Sequence, residues 1–438
     1  MRPGPLLLTA TVACGVALGL AAPWAGQSAL FAGLVLAQAV LSAGFAFGAL
    51  RGGLPGGRRG LVLLLAASAL VRAPLLLVAS PTLSDDVHRY VADGRLWSAG
   101  RNAWQTPPAT APRIAGGAVN HPHLATIYPP FAEAVFTALA APGAGERAFR
   151  AFFALADLAT ATFLVLHLRR RGLGPWPAAL FALHPLAALE SAASGHAEAL
   201  ALTLLALAFE RAAAGRRGAS VLAFAAAAGV KPIALLAAPF LARTWGRARS
   251  AVVVGLVSAQ YAVLAVASRG AGEASGLLAY LATWRHNDLV FSGLLAAGLT
   301  LGAAKVLVAA VTAALVALLA ARRPAPWEGY AWAAAAWLLL APVLHPWYAL
   351  GLLVALPALG PRGPRLTAWA LATVVLATYV LPPGTRAGDT PGFRALPAAI
   401  RLWELAPVLV VFAVEATLAL RAAGREERWS GSPSARAT

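Results

Sequence analysis

Apolar runs of near-helical length recur along the whole chain and are separated by short polar connectors rich in arginine. About twenty apolar residues suffice to cross a bilayer as a helix. Because lipid offers no hydrogen-bond partner to an open backbone, these runs are predicted to be helices. The pattern therefore predicts an all-α, polytopic membrane protein with about 12–14 transmembrane helices and a long first outer loop that carries amphipathic surface helices.

The runs predict one transmembrane domain over residues 1–422, in which residues 1–60 form two extra N-terminal helices. Residues 81–148 form the long outer loop, and its stretch 129–142 is too short to cross the bilayer, so it is expected to lie on the outer surface. The last residues, 423–438, are polar and charged and are predicted to be a disordered cytoplasmic tail. The run 219–242 is interrupted by "GVKP", which predicts two half-helices.

The arginines predict on which side of the membrane each connector lies. The clusters "RGGLPGGRRG" (51–60), "RRRG" (169–172) and "GRRG" (215–218) are expected on the cytoplasmic side, which places the 81–148 loop outside. The formal net charge of +18 is nearly all arginine in such connectors, since Lys231 and Lys305 are the only lysines, so it indicates topology and no nucleic-acid partner. The single cysteine, Cys14, excludes an internal disulfide. The alanine- and arginine-rich composition is typical of a bacterium with GC-rich DNA, which predicts the bacterial cytoplasmic membrane.

Polar side chains from well-separated segments converge on the predicted outer face. Ionisable groups near a bilayer are costly to keep, and they usually serve function. The candidate site residues are Asp85, Asp86, Arg89, Tyr90, Asp93, Arg95, Tyr128, Glu190, His196, Lys231, Arg285, His286, Asn287, Asp288, His345, Trp347 and Tyr348.

The stretch "SDDVHRYVADGR" (84–95) is the strongest of these signals. In one interpretation Ser84 caps a helix along which Arg89 pairs with Asp85 and Asp93, each four residues away. In the other, the adjacent carboxylates Asp85 and Asp86 repel each other, which raises one pKa and makes that group a better general base near neutral pH.

The remaining segments leave alternatives open. Lys231 is expected to meet either a phosphate or an internal carboxylate, because a buried ammonium needs an anionic partner. Tyr128, Trp347 and Tyr348 could contact a sugar or anchor the chain at the interface. The turn "ESAASGHAEAL" (190–200) has a spacing unlike a zinc signature, so hydrogen bonding to a sugar or phosphate is favoured there. Arg150 and Asp157 are predicted to form a structural pair.

Together these segments resemble the GT-C superfamily of integral membrane glycosyltransferases. "SDDVHRYVADGR" is similar to the "DD-x-x-R-Y-x-x-D-G-R" pattern of bacterial polyprenol-phosphate-mannose-dependent mannosyltransferases. "TIYPP" (126–130), "ESAASGHAEAL", "GVKP", "HNDLVF" (286–291) and "HPWY" (345–348) follow in the order expected for that group. The sequence departs from the pattern at Glu198, where Asp is expected, and at Ala92, where an aromatic residue is common.

The resemblance implies transfer of a sugar, expected to be mannose, from a polyprenyl-phosphate donor to a hydroxyl of a glycan, glycolipid or protein at the outer face, with inversion. Either Asp85 or Asp86, with Asp86 favoured, would be the general base, and the other would position the acceptor or a divalent cation such as Mg²⁺ or Mn²⁺. Arg89, Arg95, Lys231 and Arg285 are the candidates for stabilising the departing phosphate.

Two other functions compete with this one. A transporter or flippase of a lipid-linked glycan would keep its charged groups near mid-membrane on broken helices, as at "GVKP". A glycan ligase would use the same outer site.

Overall fold

A computed structural model describes residues 3–24, 28–49, 54–77, 84–117, 119–141, 143–380 and 398–430. Within these ranges the chain is helical and has no β-strand. An isolated parallel bridge joins His286 to Val343, where the amide of His286 donates to Pro342 O at 2.9 Å and the amide of Leu344 donates to His286 O at 2.8 Å. The prediction of an all-α polytopic membrane protein is confirmed.

The α-helices, in chain order, are α1 Pro3–Ala21, α2 Ala29–Ala49, α3 Gly57–Leu77, α4 Asp86–Ser98, α5 Pro112–Ala115, α6 Pro130–Ala140, α7 Glu146–Arg170, α8 Ala179–Ala182, α9 Pro185–Ala188, α10 Glu198–Ala213, α11 Arg217–Ala228, α12 Ala238–Trp245, α13 Arg247–Arg269, α14 Gly276–Thr283, α15 Leu289–Ala296, α16 Leu301–Ala321, α17 Pro326–Leu340, α18 Leu350–Leu353, α19 Arg365–Val374, α20 Ala377–Val380 and α21 Ala398–Ser430. Short 3₁₀ segments cover Ala22–Trp24, Pro108–Thr110, Trp176–Ala178, Pro232–Ala237, Gly272–Ala274, Pro346–Ala349 and Leu356–Ala358, and Leu189–Ser194 is a π-helix.

Six of the described helices are long and apolar enough to cross a membrane: α1, α3, α7, α13, α16 and α21. The last three carry large apolar side chains on their outer surface, among them Val254, Val306 and Val410. An exposed apolar stripe of this kind on a long helix is the surface that a bilayer covers.

Several of the other predicted spans are apolar but interrupted. Residues 176–194 consist of short helical pieces that restart at Pro185, and residues 347–360 consist of pieces around Pro346 and Pro357. Proline lacks the amide that would continue a helix, which explains these breaks. The predicted break at "GVKP" is present, since α11 ends at Ala228 and a 3₁₀ segment begins at Pro232.

An ion pair lies inside the helix bundle between α3 and α7. Arg72 Nε donates to Asp157 Oδ2 at 2.8 Å, and both side chains are buried. The predicted pair of Arg150 with Asp157 is wrong, because Arg150 Nε donates to Ala192 O at 2.9 Å. Arg150 and Asp157 lie seven positions apart on one helix, while the partner of Asp157 comes from a helix earlier in the chain.

A second, small core is formed by α4, α6, α7 and α10. The ring of Tyr90 stacks on that of Phe136 with centroids 4.7 Å apart, and Phe149 and Phe153 complete the cluster. At Gly94 a Cβ atom would lie 2.3 Å from Phe136 O, so only glycine allows α4 and α6 to approach this closely. The "DGR" of the sequence motif is thus in part a packing requirement that fixes α4 on α6.

The predicted loop and the predicted tail each include residues that the structure does not describe. The loop segment 81–83 lies outside them, and α4 begins just after it. Helix α21 continues to Ser430, into the stretch that was expected to be a disordered tail, and residues 431–438 again lie outside the described ranges.

Candidate active site

The two adjacent carboxylates stand at the start of α4 and share one donor. Asn120 Nδ2 donates to Asp85 Oδ1 at 3.0 Å and to Asp86 Oδ1 at 2.6 Å. Asp85 is exposed, whereas the Asp86 side chain is only 21% exposed and turns towards the protein. The pair is therefore held as a unit, with Asp86 on its inner side. Asp85 does not pair with Arg89, contrary to the structural interpretation of this stretch.

His196 is the inner neighbour of Asp86. Its Nε2 lies 3.5 Å from Asp86 Oδ2 and 3.0 Å from Ser84 Oγ, and its Nδ1 lies 2.7 Å from Glu190 Oε2. Tyr379 OH donates to the other Glu190 oxygen at 2.5 Å. A buried imidazole between two carboxylates is well placed to carry a proton on each nitrogen.

These contacts push the pKa values of the acid pair in opposite directions. Burial alone would raise the pKa of Asp86, but the hydrogen bond with His196 and the positive charges of His196 and Lys231 hold it below its usual range. Partial desolvation, followed by the charge of Asp86, raises the pKa of Asp85. Burial opposes a charged His196, yet its bonds to Asp86 and Glu190 raise its pKa to about 9. At neutral pH the site therefore holds an ionised Asp86 beside an imidazolium.

Lys231 lies on the break between α11 and the following 3₁₀ segment. Its Nζ is 2.8 Å from Glu198 Oε1 and 4.9 Å from the centroid of the Tyr128 ring. The amide of Ala132 in α6 donates to Gly229 O at 3.1 Å, which ties this break to the small core of α4, α6, α7 and α10. The structure thus supplies the internal carboxylate, and it buries Tyr128 in the protein with its ring facing the ammonium group.

Four aromatic rings stack in one column behind Asp86. His286 stacks on His345 at 4.4 Å, His345 on Trp347 at 4.4 Å, and Trp347 on His196 at 4.0 Å between ring centroids. The interplanar angles are 20°, 8° and 28°, so the rings are nearly parallel. The column brings two other predicted segments, at His286 and at His345 with Trp347, to His196 and places Trp347 directly against its imidazole.

A cavity of about 340 Å³ opens beside Lys231. Its wall is mainly apolar, with Tyr348 joined to Tyr280 through their hydroxyls at 3.1 Å. The lining residues are Glu198, Lys231, Pro232, Ile233, Tyr280, Leu281, Trp284, Lys305, Val308, Trp337, Ala341, Pro342, Val343 and Tyr348.

Several predicted residues on α4 lie away from this centre. Arg89 Nε donates to Asp93 at 3.1 Å, and both side chains are buried, which confirms the i, i+4 pair. Arg95 donates to Ala115 O at 3.3 Å, and Tyr90 is buried in the small aromatic core against Phe136. These side chains hold α4 in place.

The segment 285–288 also makes structural contacts. Arg285 Nε donates to Asp288 Oδ2 at 2.6 Å, and Arg401 of α21 donates to Asp288 Oδ1 at 2.5 Å. Asn287 Nδ2 donates to Glu404 Oε2 at 3.1 Å. Of the four predicted residues here, only His286 reaches the ring column, and the other three attach the loop to α15 and α21.

Sequence reasoning left four residues out of the candidate site: Asn120, Glu198, Lys305 and Tyr379. Asn120 precedes "HPH" in the loop after α5 without any motif of its own, and Tyr379 lies in an apolar run. Glu198 could have been identified as a site candidate from the sequence, since it stands at the position where the resembling pattern has Asp. Lys305 could have been identified as well, because lysine is so rare in this chain.

Among the described residues, no group of three or more His, Cys, Asp or Glu side chains is arranged to hold a metal ion. The amide nitrogen of Asn120 lies between the two aspartates as a hydrogen-bond donor, a position in which it cannot ligate a cation. A divalent cation at the acid pair stays a prediction.

The comparison with protein families gives a match over the first half of the chain. The family model described as alpha-(1->6)-mannopyranosyltransferase, N-terminal domain (MptA_B family) matches residues 4–247, which is more than half of the chain. Searches of curated proteins and of solved structures found no match. The matched part contains the acid pair, the Glu190–His196 pair and the Lys231–Glu198 pair. The chain therefore belongs to the MptA_B family of alpha-(1->6)-mannopyranosyltransferases, and its activity is that of a membrane mannosyltransferase.

Proposed function

We propose that this mannosyltransferase takes mannose from a polyprenyl-phosphate donor and transfers it to an acceptor hydroxyl at the outer face of the bacterial cytoplasmic membrane. Asp86 is the general base, and the displacement inverts the anomeric carbon. The observation that carries the proposal is the position of Asp86, which is partly exposed and lies between the shared donor Asn120 and the buried His196.

In the reaction, the acceptor oxygen attacks C1 of the mannose as the bond from C1 to the phosphate oxygen breaks. The hydroxyl proton passes to a carboxylate oxygen of Asp86, and the bonding pair leaves with polyprenyl phosphate. A carboxylate within hydrogen-bond reach is suited to this proton transfer because a sugar hydroxyl is a poor nucleophile at neutral pH.

Asp86 is favoured over Asp85 because it faces the interior polar groups. His196 and Lys231 keep it ionised and ready to accept a proton, although a lowered pKa makes it the weaker base of the two. Asp85 lies at the exposed rim, where its carboxylate and Asn120 are positioned to orient an incoming acceptor.

The departing phosphate needs a cation, since charge accumulates on its oxygens in the transition state. Of the cations that the sequence proposed for this role, Arg89 and Arg285 are paired with Asp93 and Asp288, and Arg95 with a backbone carbonyl. Lys231 also has a carboxylate partner, Glu198, but it lines an open cavity and its charge acts on Asp86. We therefore assign the leaving phosphate to Lys231.

The description of the family names an α-(1→6) linkage for the transferred mannose. If the product bond is α-(1→6), an inverting displacement requires a donor whose mannose is β-linked to phosphate. The arginine-rich connectors on the opposite side support an outward-facing site, because short cytoplasmic connectors are the ones enriched in arginine.

The test measures mannosyl transfer from polyprenyl-phosphate-mannose in membranes that contain the protein. Replacing Asp86→Asn is expected to lower kcat by about 10²–10⁴-fold, the range for a lost general base. Asp85→Asn is expected to lower it less. Glu273→Gln, an exposed outer carboxylate without a role here, is the matched control and should be unchanged. Wild-type turnover by a folded Asp86→Asn variant would overturn the assignment of the base.

A further inference from the structure

The side chain of Asn120 covers the accessible side of the proposed base. Asp86 Oδ2 faces inwards, 3.5 Å from Nε2 of the buried His196. Asp86 Oδ1 accepts from Asn120 Nδ2 at 2.6 Å, and Asn120 is half-buried. Each oxygen of the carboxylate therefore has a partner, and the partner on the side that solvent reaches is an amide from the loop after α5.

This amide occupies the position that a nucleophile needs. A general base takes a proton from a hydroxyl whose oxygen lies about 2.6–3.2 Å from the carboxylate. Asn120 Nδ2 lies within that range of Asp86 Oδ1, and it also donates to Asp85 Oδ1 at 3.0 Å. Because an amide nitrogen carries two hydrogens, one bond can be released while the other stays. The acceptor hydroxyl and the amide therefore compete for the same oxygen of Asp86.

The loop presents Asn120 to the acid pair through a constrained backbone. The next residue, His121, has a φ of 42°, in the left-handed region that residues other than glycine rarely adopt. Such a conformation persists only where surrounding contacts fix it. The ring of His121 lies against that of Trp284, with centroids 5.0 Å apart, and His121 O accepts from the amide of Leu124 at 2.9 Å. These contacts give the Asn120 side chain a defined position beside the carboxylates.

Water is the nucleophile that competes with the acceptor in a sugar transfer. In hydrolysis the water oxygen attacks C1 of the mannose, the bond from C1 to the phosphate oxygen breaks, and a proton passes to Asp86. The products are free mannose and polyprenyl phosphate, so the donor is wasted. A water molecule gains no further contact when it displaces the amide, whereas an acceptor brings the binding energy of the rest of its structure. An amide bound to the base therefore discriminates between the two nucleophiles.

We propose that Asn120 is a specificity-determining residue, which keeps water from Asp86 and yields its position at Oδ1 to the hydroxyl of a bound acceptor. Its bond to Asp85 holds the amide nearby during this exchange, which gives the exposed carboxylate a second role. The inference rests on the proposed function, in which Asp86 is the base. It deepens that function by naming the residue that favours transfer over hydrolysis.

The first experiment compares transfer with hydrolysis. Membranes that contain the protein receive polyprenyl-phosphate-mannose as donor and octyl α-mannoside as acceptor probe, whose 6-hydroxyl is the oxygen that an α-(1→6) linkage requires. Free and transferred mannose are both measured. Asn120→Ala is expected to raise the hydrolysed fraction about tenfold, the effect of losing one hydrogen bond to a charged group. Gln105→Ala removes an exposed amide from the 81–148 loop and is the matched control, with an unchanged fraction.

A purely structural role for Asn120 gives a different result. If the amide only positions the carboxylates, transfer and hydrolysis fall together in Asn120→Ala, and the hydrolysed fraction stays at the wild-type value. Asp85→Ala is the second variant, because it removes the carboxylate that holds the amide, and it should raise the hydrolysed fraction as well. A wild-type fraction in both folded variants would overturn the proposal.

The second experiment observes the amide directly and needs no donor. Asn102 and Asn287 are the only other asparagines, so nitrogen-15 labelling of asparagine side chains gives few NMR signals, and those of Asn120 are identified by their loss in Asn120→Ala. In the purified full-length protein in detergent, octyl α-mannoside is expected to shift the Asn120 signals and to leave the other two amides unchanged. Its 6-deoxy analogue, which lacks the competing hydroxyl, should shift them far less. No shift with octyl α-mannoside, or an equal shift with both glycosides, would overturn the proposal.

Failure of this proposal is separable from failure of the proposed function. The double variant Asn120→Ala with Asp86→Asn should neither transfer nor hydrolyse, and continued hydrolysis by it would overturn Asp86 as the base. If Asp86→Asn is inactive while Asn120→Ala keeps the wild-type hydrolysed fraction, the base assignment stands and the role of Asn120 fails. If the wild type transfers no mannose from polyprenyl-phosphate-mannose, the donor assignment fails, and the amide signals still decide the role of Asn120.

Discussion

His196 Nδ1 lies 2.7 Å from Glu190 Oε2, and both side chains are completely inaccessible to solvent. A buried carboxylate in this position favours the charged imidazole, which in turn lies beside Asp86. Glu190 and His196, which the sequence placed among the groups that contact substrate, are thus arranged as support for the acid pair. The charge of this cluster is the property that most directly controls the proposed base.

The first prediction concerns pH. Groups that face His196 are Asp86 from α4, Glu190 from its own turn and His345, and Tyr379 acts through Glu190. Because the pKa of His196 is raised from 6.5 to about 9, the imidazolium is present at neutral pH and is lost as the pH rises through about 9. We expect kcat/KM for mannosyl transfer to fall over that interval.

The raised pKa of His196 also contributes to the free energy of unfolding. A pKa raised on folding gives stability that is fully present below pH 6.5, the unfolded pKa, and is lost as the pH rises through about 9.

His196→Gln should remove the alkaline fall in kcat/KM. It should also shift the acidic side of the kcat/KM profile to higher pH, because Asp86 loses the partner that lowers its pKa. An unaltered pH profile in His196→Gln would show that the imidazolium does not control the site.

The second prediction concerns the buried pair of Arg72 and Asp157. Removing one member leaves an unpaired charge inside the bundle, so Arg72→Met is expected to lower the free energy of unfolding by about 3–5 kcal/mol. The double variant Arg72→Met with Asp157→Leu should recover most of that loss, because no charge is then left alone. Thermal unfolding of the purified protein in one detergent checks both values. Equal loss in the single and double variants would argue against a charge-based cause.

The third prediction concerns the contact between α4 and α6. Gly94→Ala would place a Cβ atom 2.3 Å from Phe136 O, so the helices must separate. We expect a loss of about 1–3 kcal/mol in stability, the usual effect of overpacking, together with reduced kcat because α4 carries Asp86. Gly293→Ala is the control, since Gly293 lies in α15 with open space where a Cβ would extend. Normal activity and melting temperature in Gly94→Ala would contradict this packing.

The helical class and the acid pair could be predicted from the sequence because both depend on local patterns, whereas the outer position of the loop stays a prediction. Apolar runs define helices, arginines indicate sides, and adjacent aspartates are conspicuous in a chain with few acids. The pair of Arg89 with Asp93 is predictable in the same way, since four-residue spacing places both on one helix face.

The contacts that could not be predicted join residues that are far apart in the sequence. The amide of Asn120 reaches α4 from a loop without helical periodicity, and Tyr379 reaches Glu190 from much later in the chain. The column from His286 to His196 joins three segments whose order along the chain gives no sign that their rings stack. Asp157 was assigned the wrong partner for the same reason, because a nearby arginine on its own helix was the only one that spacing suggested.

The scarcity of lysine has a practical consequence. Apart from the chain's amino terminus, amine-selective reagents can modify only Lys231 and Lys305, and both side chains border one cavity. Acylation mass spectrometry is therefore a footprint of that cavity alone, in which a lipid occupant would register as protection against labelling.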